Sequence, residues 1–442
     1  MKILIGIRTV AYLEYIQDFI KKISDSDFEI FLAIDPNFLI NNSLSETSNW
    51  VNSSYQLNSK RVFTLRKTSV SSELIRDSLS CVIYLNEKKI ERGYFYRHMS
   101  RCNLRLRHRL GLLLLAFTPN PIRILLSQRL TKYFRKIILN FGIVNTEVSE
   151  IMPDIVFVLP GNMYNSYESQ LIADAKLSKI PVVVQTLSWD NLNSKGTVIG
   201  IPDKYLAWNS LHEELLVNRH QIPVTNIAVT GSIFFQRYTK ILDVYSKEEV
   251  CQALGIPMNF KLIVYLGSSK NVVKKEHILL KSLLDASSLF SNNYFLIIRP
   301  HPANFRTWNN WNYPETLVWP RFQKLESRLT IETKSIFKSS IAAIGINTSG
   351  FLDAIACDTP LFPIKTSKAL YQDNASHFNH LIGTGIKCFS SIDEILNEID
   401  SSHFSIKQDN LLNEYLPFKN SASMITYDEI MRLVENGKND GK

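Results

Sequence analysis

The chain has 442 residues, enough for two or three domains of about 100–200 residues each. Hydrophobic residues make up 45% and charged residues 21%, which excludes an intrinsically disordered or fibrous protein. Fifty basic and 41 acidic residues give a net charge of +9, and the five scattered cysteines form no C-x-x-C pair, so neither a disulfide framework nor a zinc site is predicted and a reducing cytoplasm is expected.

Two apolar runs were considered as a leader or a membrane span. Met1–Ile7 is followed at once by Arg8 and is too short for the apolar core of a signal peptide, so it predicts a buried first strand. Leu110–Phe117, the longest uncharged apolar run, is far shorter than the ~20 residues of a spanning helix. We therefore expect neither a signal peptide nor a transmembrane segment.

In the first half of the chain, short apolar runs alternate with amphipathic segments. The runs that predict strands are Ile3–Ile7, Phe28–Ala33, Ile155–Leu159, Val182–Thr186, Lys204–Trp208 and Ile227–Thr230. Helical periodicity marks Tyr12–Ile23 and Glu168–Leu177. Strands that alternate with helices indicate a parallel sheet.

A second series of apolar runs follows a break in Ser232–Lys247. Its predicted strands are Leu262–Leu266, Phe295–Arg299, Leu329–Glu332, Ala342–Ile346 and Leu361–Pro363. Two such series predict an α/β protein with two doubly wound, Rossmann-like domains that face each other across a cleft. We expect a first domain over 1–235, a second over 236–420 and a helical tail over 421–442.

Positive charge is concentrated in one segment. Arg92–Lys136 contains nine Arg and two Lys and no Asp or Glu. Because these cations interleave with Leu, Ile, Phe and Tyr, the segment could lie on anionic lipid headgroups. A solvated surface and a nucleic-acid site are the other interpretations, but no nucleic-acid recognition module accompanies the segment. We therefore predict an anionic membrane surface as a partner and no nucleic acid.

Two predicted strands of the second series end in segments suited to phosphate. Gly267, Ser268 and Ser269 follow the first of them, and the second ends at Arg299 and continues into Pro300-His301. Ligands of open α/β sheets bind at the carboxyl ends of strands. Arg supplies forked donors for phosphate oxygens, and His can donate a hydrogen bond or a proton. A turn that Pro stiffens, with solvated polar residues, is the alternative.

A third strand end carries small polar residues. The four residues after Ala342–Ile346 are Asn347, Thr348, Ser349 and Gly350. Backbone N–H groups at the start of the following helix could bind phosphate, and Asp353 could accept hydrogen bonds from ribose hydroxyls. Alternatively, Thr348 or Ser349 only caps the helix and Asp353 only complements its dipole. We expect RPHP and NTSG to meet at neighbouring strand ends.

Candidate general bases follow strands of the first series. Asp190 lies in SWDNLNSKG and Glu168 in GNMYNSYESQ, and each could instead be an ordinary acid of a helix start. His377 and His380 have a spacing that can hold a metal on a helix, but no clustered acid or cysteine completes a site, so no metal is predicted.

Several of these motifs resemble those of sugar-nucleotide enzymes with the GT-B fold. IAVTGSIFF resembles the VTGN turn of the non-hydrolysing UDP-GlcNAc 2-epimerases. The spacing from Asp353 to Pro360 resembles that of the ribose-binding Glu in the lipid A disaccharide and lipid II glycosyltransferases, with Asp here in place of Glu. RPHP followed by NTS resembles the HP and S/T motifs of bacterial sialyl-, Kdo- and polyol-phosphate transferases with CMP- or CDP-activated donors. Runs such as SWDNL, RPHP and GINTS resemble GT-B-like proteins of bacterial surface polysaccharide loci.

The resemblance implies a metal-independent glycosyltransferase of cell-envelope polysaccharide synthesis, such as that of capsule or lipopolysaccharide. The donor would be a CMP-, CDP- or UDP-linked sugar, which is a substrate rather than a cofactor, and the acceptor a glycan or lipid-linked sugar. The implied donor-binding residues are Gly267, Ser268, Ser269, Arg299, His301, Asn347, Thr348, Ser349, Gly350 and Asp353. Catalysis would fall to His301 and to Asp190 or Glu168.

Two other activities fit the same motifs. A CDP-glycerol-type polyol-phosphate transferase would share the HP and S/T motifs, and a non-hydrolysing sugar-nucleotide epimerase would share the fold. The expected location is the cytoplasm, with peripheral association at the inner face of the membrane.

Overall fold

The computed structural model describes residues 1–56, 61–65, 70–86, 92–102, 104–140, 146–160, 167–197, 199–269, 273, 275–289, 293–319, 327–346, 348–366, 386–400 and 414–439. The chain divides into two compact units. The first unit is Met1–Gln236 with Ser421–Lys442, and the second is Arg237–Asn420. The carboxy-terminal tail is therefore part of the first unit.

A parallel sheet forms the centre of the first unit. Its described strands are β1 Lys2–Ile7, β2 Glu29–Ile34, β3 Val62–Thr64, β4 Ile155–Leu159, β5 Val182–Val184, β6 Lys204–Ala207 and β7 Ile227–Val229. They lie in the order β3-β2-β1-β4-β5-β6-β7, and β1 pairs in register with β2 (Ile3 opposite Ile30) and with β4 (Ile3 opposite Ile155). The order reverses direction between β1 and β4, as in doubly wound folds, and β4 is buried along its whole length.

Helices cover both faces of this sheet. The described helices of the first unit are α1 Ala11–Tyr15, α2 Gln17–Ser24, α3 Leu44–Tyr55, α4 Val70–Val82, α5 Arg92–Arg101, α6 Leu106–Ala116, α7 Asn120–Asn140, α8 Thr146–Ile151, α9 Tyr167–Leu177, α10 Asn191–Ser194, α11 Ser210–Asn218 and α18 Ala422–Asn439. Helix α18 packs Ala422, Ile430 and Val434 into the same core as β1 and α2. Helices α4–α7 form a helical insert between β3 and β4, with a core of its own.

The second unit contains a parallel sheet of five described strands. They are β8 Lys261–Leu266, β9 Tyr294–Arg299, β10 Thr316–Val318, β11 Ser340–Gly345 and β12 Leu361–Pro363, in the order β10-β9-β8-β11-β12. The described helices are α12 Arg237–Lys240, α13 Lys247–Leu254, α14 Glu276–Asp285, α15 Ser327–Ser339, α16 Phe351–Ala356 and α17 Ile392–Asp400. Because β8 lies between β9 and β11, the carboxyl ends of these three strands are neighbours.

The predicted fold class, two Rossmann-like α/β sheets, is confirmed. Ile155–Leu159 and Leu361–Pro363 have the predicted bounds, and Tyr12–Ile23 is two helices separated at Ile16. The predicted strand Leu329–Glu332 is wrong, because it lies inside α15. A four-residue run cannot distinguish the two periods, whereas apolar positions 329, 336 and 337 fit a helix.

No helix among the described residues combines the length and the apolar character that a bilayer span requires.

Candidate functional site

The predicted donor-binding segments of the second unit come together around the end of β8. The backbone N–H of Gly267 donates to the carbonyl of Arg299 at 2.9 Å, which joins the end of β8 to the end of β9. A Cβ at position 267 would lie 2.9 Å from the backbone N of His301 and 3.1 Å from the Cα of Pro300. Only a residue without a side chain fits there, so Gly267 permits the close approach of RPHP to β8.

A partly buried ion pair joins the RPHP segment to the helix after NTSG. Arg299 Nη1 lies 2.7 Å from Asp353 Oδ2. The Tyr238 hydroxyl donates to Asp353 Oδ1 at 2.9 Å, and Arg237 Nη2 lies 3.6 Å from the same oxygen. Both carboxylate oxygens of Asp353 therefore have partners from the protein.

The pair fixes the charge of the guanidinium. Burial acts to lower the pKa of Arg299, but the carboxylate of Asp353 outweighs it and holds that pKa above its ordinary value. Burial has the opposite effect on Tyr238: it raises the pKa of the hydroxyl, which therefore stays protonated and donates. The Arg299 side chain is still 26% exposed, which leaves part of the guanidinium accessible at the strand end.

The residues after β11 form a tight turn. Thr348 is buried, and its Oγ1 accepts from the backbone N–H of Gly350 at 3.1 Å. Ser349 is exposed beside it. Gly350, rather than Thr348 or Ser349, precedes α16, and no side chain caps this six-residue helix. Asn347 lies outside the described residues.

A buried carboxylate that the sequence analysis missed supports the loop after β8. Glu276, the first residue of α14, accepts from the Ser268 backbone N–H with both oxygens, at 2.8 and 2.9 Å, and from the Tyr265 hydroxyl at 2.9 Å. Asn304, after His301, donates to the Ser268 carbonyl at 3.4 Å. In sequence, Glu276 is indistinguishable from an acid that complements a helix dipole, so no pattern could have found it.

Burial raises the pKa of Glu276 to about 7, although the hydrogen bonds from Ser268 and Tyr265 oppose the shift. Ser268 is fully buried and Ser269 is partly exposed. His301 is partly exposed too, and its carbonyl accepts from the Asn304 backbone N–H at 2.8 Å. The parts of this edge that solvent reaches therefore include His301, Ser269, Ser349 and the guanidinium of Arg299.

The two candidate bases lie in the first unit, in different surroundings. Asp190 is 2.9 Å from Lys195 Nζ and accepts from the Ser188 hydroxyl, and its side chain is 22% exposed. Glu168, the second residue of α9, is fully buried. Burial raises the pKa of Tyr12. Lys195 opposes this rise and Glu168 adds to it, so both charged groups lie near the Tyr12 ring.

Two further predictions concern a histidine pair and the basic segment. His377 and His380 lie outside the described residues. Within the described part of the chain, no group of three or more His, Cys, Asp or Glu is arranged to hold a metal ion. In the basic segment, Arg123 and Arg135 are buried, whereas residues such as Arg107 and Arg129 are exposed.

No protein-family model matches the chain. No curated protein matches its sequence either. Solved structures do match, with low sequence identity. The UDP-GlcNAc 2-epimerase of Neisseria meningitidis bound to UDP-GlcNAc aligns with 98% of this chain and 100% of its own, at 12% identity and a TM-score of 0.57.

Two further structures agree. MnaA of S. aureus with UDP aligns with 96% of this chain and 94% of its own, at 11% identity and a TM-score of 0.53. The UDP-N-acetylglucosamine 2-epimerase of Rickettsia bellii aligns with 99% and 96%, at 12% identity and a TM-score of 0.51. The chain therefore has the two-domain fold of these structures, two of which are UDP-GlcNAc 2-epimerases, and this confirms the predicted structural relationship.

Proposed function

We propose that the protein is a glycosyltransferase that uses a nucleotide-activated sugar, with the donor phosphate at the carboxyl ends of β8, β9 and β11. The observation that carries the proposal is the convergence of Gly267–Ser269, Arg299–His301 and Thr348–Gly350 at this edge, with one guanidinium held in place between them. Binding at this edge of an open α/β sheet is general for such folds.

The chemistry follows from the charge that leaves with the nucleotide. When the glycosidic bond to phosphate breaks, negative charge builds up on the departing phosphate oxygens. Arg299 is oriented by Asp353 before substrate arrives, so its donors need not be reorganised during the reaction. His301 and Ser349 would add hydrogen bonds from the two flanking segments, and His301 could also protonate the phosphate.

In this proposal Asp353 acts through Arg299. Its oxygens accept from Arg299 and Tyr238, so a ribose hydroxyl would have to share an oxygen with one of them. Glu276 has a similar supporting role, because it fixes the backbone of Ser268 from below the loop.

The acceptor hydroxyl needs a base if the reaction inverts configuration. We propose Asp190 for this role, with Glu168 as the second candidate. Asp190 is the more accessible of the two, with a side chain that is 22% exposed, and Lys195 holds its carboxylate in place. Glu168 is fully buried, so a rearrangement would be needed to bring its carboxylate to an acceptor hydroxyl.

A sugar-nucleotide epimerase is the second candidate. It is favoured by the similarity of fold to UDP-GlcNAc 2-epimerases over 96% or more of their length. Such an enzyme would need no acceptor and would release an isomeric sugar nucleotide.

An assay with CMP-, CDP- and UDP-linked sugars, with and without glycan acceptors, separates these activities. The proposal predicts nucleotide release that depends on an acceptor and forms a new glycosidic linkage. Formation of an isomeric sugar nucleotide without an acceptor would contradict the glycosyltransferase proposal and indicate an epimerase. Transfer from CDP-glycerol, but from no sugar nucleotide, would contradict the glycosyltransferase proposal and indicate a polyol-phosphate transferase.

A further inference from the structure

Helices α6 and α7 expose apolar side chains on a surface where a water-soluble helix carries polar ones. They are consecutive helices of the helical insert, separated only by Phe117, Thr118 and Pro119. Leu112 and Leu115 of α6 are buried in the core of this insert with residues of α4. These two leucines hold α6 against the rest of the insert.

The opposite face of α6 is also apolar. Leu106, Leu110 and Leu114 recur every four residues, and Phe117 continues the same stripe. The least exposed of them, Leu110, is 51% exposed, and Phe117 is 73% exposed. At 100° per residue this stripe lies on the side of α6 away from Leu112 and Leu115, so none of these side chains contributes to the core.

Helix α7 continues the apolar surface and then changes character. Ile122, Leu125 and Leu126, in its first two turns, are exposed. Farther along the same face, the exposed residues are Arg129, Lys132, Tyr133 and Lys136. The apolar side chains thus gather near the turn between the two helices, and the cations of α7 lie roughly two and a half to four and a half turns from it. Arg105 and Arg107 add exposed cations at the far end of α6.

Two other arginines of the segment have structural roles on the buried face. Arg123 Nε donates to the Leu85 carbonyl at 3.1 Å. Arg135 donates to the carbonyls of His220 and Gln221. The basic segment therefore has two parts, and only the outer part can meet a partner.

We propose that the exposed surface of α6 and α7 docks on a bilayer that contains anionic lipid, with the apolar stripe inserted among the acyl chains. Exposed apolar patches of this kind mark interaction surfaces, and interfacial helices bury such a face about 5–10 Å deep. The outer cations would meet lipid phosphates, since no acidic residue occurs between Arg92 and Lys136. A symmetric contact with a second copy would bring these rows of cations against each other, which disfavours a dimer.

This proposal does not depend on the proposed activity, because vesicle binding is measured without any substrate. The experiment is co-sedimentation of the full chain with vesicles of phosphatidylcholine alone, and of equal parts phosphatidylcholine and phosphatidylglycerol, in low and in molar salt. Insertion predicts binding to the mixed vesicles that weakens in molar salt but is not abolished. Purely electrostatic adsorption would disappear in molar salt, which would overturn the inserted stripe.

Variants separate the two contributions. Leu110→Glu with Leu114→Glu should weaken binding to mixed vesicles at least about tenfold at either salt concentration. Arg129→Glu with Lys132→Glu should weaken binding mainly in low salt. Val224→Glu with Met258→Glu replaces exposed apolar side chains elsewhere on the chain and should change nothing.

Circular dichroism and thermal unfolding establish that each variant folds. Wild-type binding by the leucine variant contradicts the proposal. So does a wild-type dimer in light scattering that the leucine variant dissociates, without vesicle binding, because the surface would then be a contact between two copies.

Discussion

Each unit has an ion pair at the carboxyl edge of its sheet, but the two pairs differ in reach. Asp190 pairs with Lys195, five residues away at the other end of the short helix α10, in the same connection of the first unit. Asp353 pairs with Arg299, 54 residues away, and so ties the end of β9 to the helix after β11. A local pair orders only its own loop, whereas the long-range pair fixes the positions of two loops relative to each other. This difference is why we assign the phosphate site to the second unit.

Removing one partner of each pair tests this contrast, and the effect should be the largest of those considered. Arg299→Ala removes the main counter-charge of the Asp353 carboxylate, and because the pair is only partly buried, with side chains 26% and 13% exposed, it should lower the free energy of unfolding by roughly 3 kcal/mol, the low end for buried pairs. Lys195→Ala removes a pair whose side chains are 28% and 22% exposed and should cost less than about 1 kcal/mol. Urea unfolding of both variants gives the two values.

The double variant Arg299→Ala with Asp353→Ala is the control for this experiment. It removes the buried charge together with its partner and should recover part of the loss. Equal costs for Arg299→Ala and Lys195→Ala would mean that the long-range pair has no special structural role.

Glu276 gives the second unit a pH response of definite sign. Its pKa is about 7 in the folded protein against an ordinary 4.5, so the folded state binds the proton more tightly than the unfolded state. The free energy of unfolding therefore falls as pH rises from 4.5 to 7, by on the order of 3 kcal/mol from this group. Glu276→Gln, which cannot ionise, should remove this contribution in urea unfolding measured across that range. An unchanged pH profile would show that Glu276 is not protonated there.

His220 gives the first unit the opposite response. It is fully buried, its Nε2–H donates to the Leu192 carbonyl at 2.8 Å, and burial lowers its pKa to about 3 from an ordinary 6.5. The unfolded state therefore binds the proton more tightly, and stability falls as pH drops below 6.5, by about 2 kcal/mol at pH 5. His220→Gln should lose this pH dependence under the same protocol. Retention of the wild-type acid sensitivity would assign it to other groups.

His301 tests the function of the edge rather than its stability. His301→Ala should lower turnover with the preferred donor at least about tenfold, because a group that hydrogen-bonds the leaving phosphate is lost, with little change in unfolding. His277→Ala, at a partly exposed histidine of α14 in the same unit, is the matched control. Wild-type turnover of His301→Ala would remove this side chain from the mechanism.

The sequence predicts several strands and motifs of both units, for physical reasons that can be named. Continuous apolar runs such as Ile155–Leu159 predict central parallel strands. RPHP begins at the last residue of one predicted strand, and NTSG follows another. The sequence does not predict strands β3 and β10, although other three-residue strands such as β12 are predicted. The run Leu329–Glu332 predicts a strand but lies inside α15, because four residues do not define a period.

The partners within the site were not predictable in the same way. Tyr238 reaches Asp353 from 115 residues away, and nothing in either local sequence indicates the contact. The role of Glu276 depends on the buried Tyr265 hydroxyl and the Ser268 amide, which only the fold brings to it. Composition likewise could not divide the basic segment into its buried arginines and its exposed cations.

The most direct test of the phosphate site is nucleotide binding to a variant that places negative charge at it. Ser349 is exposed in the turn between β11 and α16, the helix that carries Asp353, so Ser349→Glu should fold and should repel a phosphate bound there. By titration calorimetry we expect at least one of UDP, CDP and CMP to bind the wild type, and this affinity to fall at least about tenfold in Ser349→Glu but not in Ser54→Glu, an exposed control on α3. Equal binding by Ser349→Glu and the wild type, or no binding of any of the three to the wild type, would contradict the account.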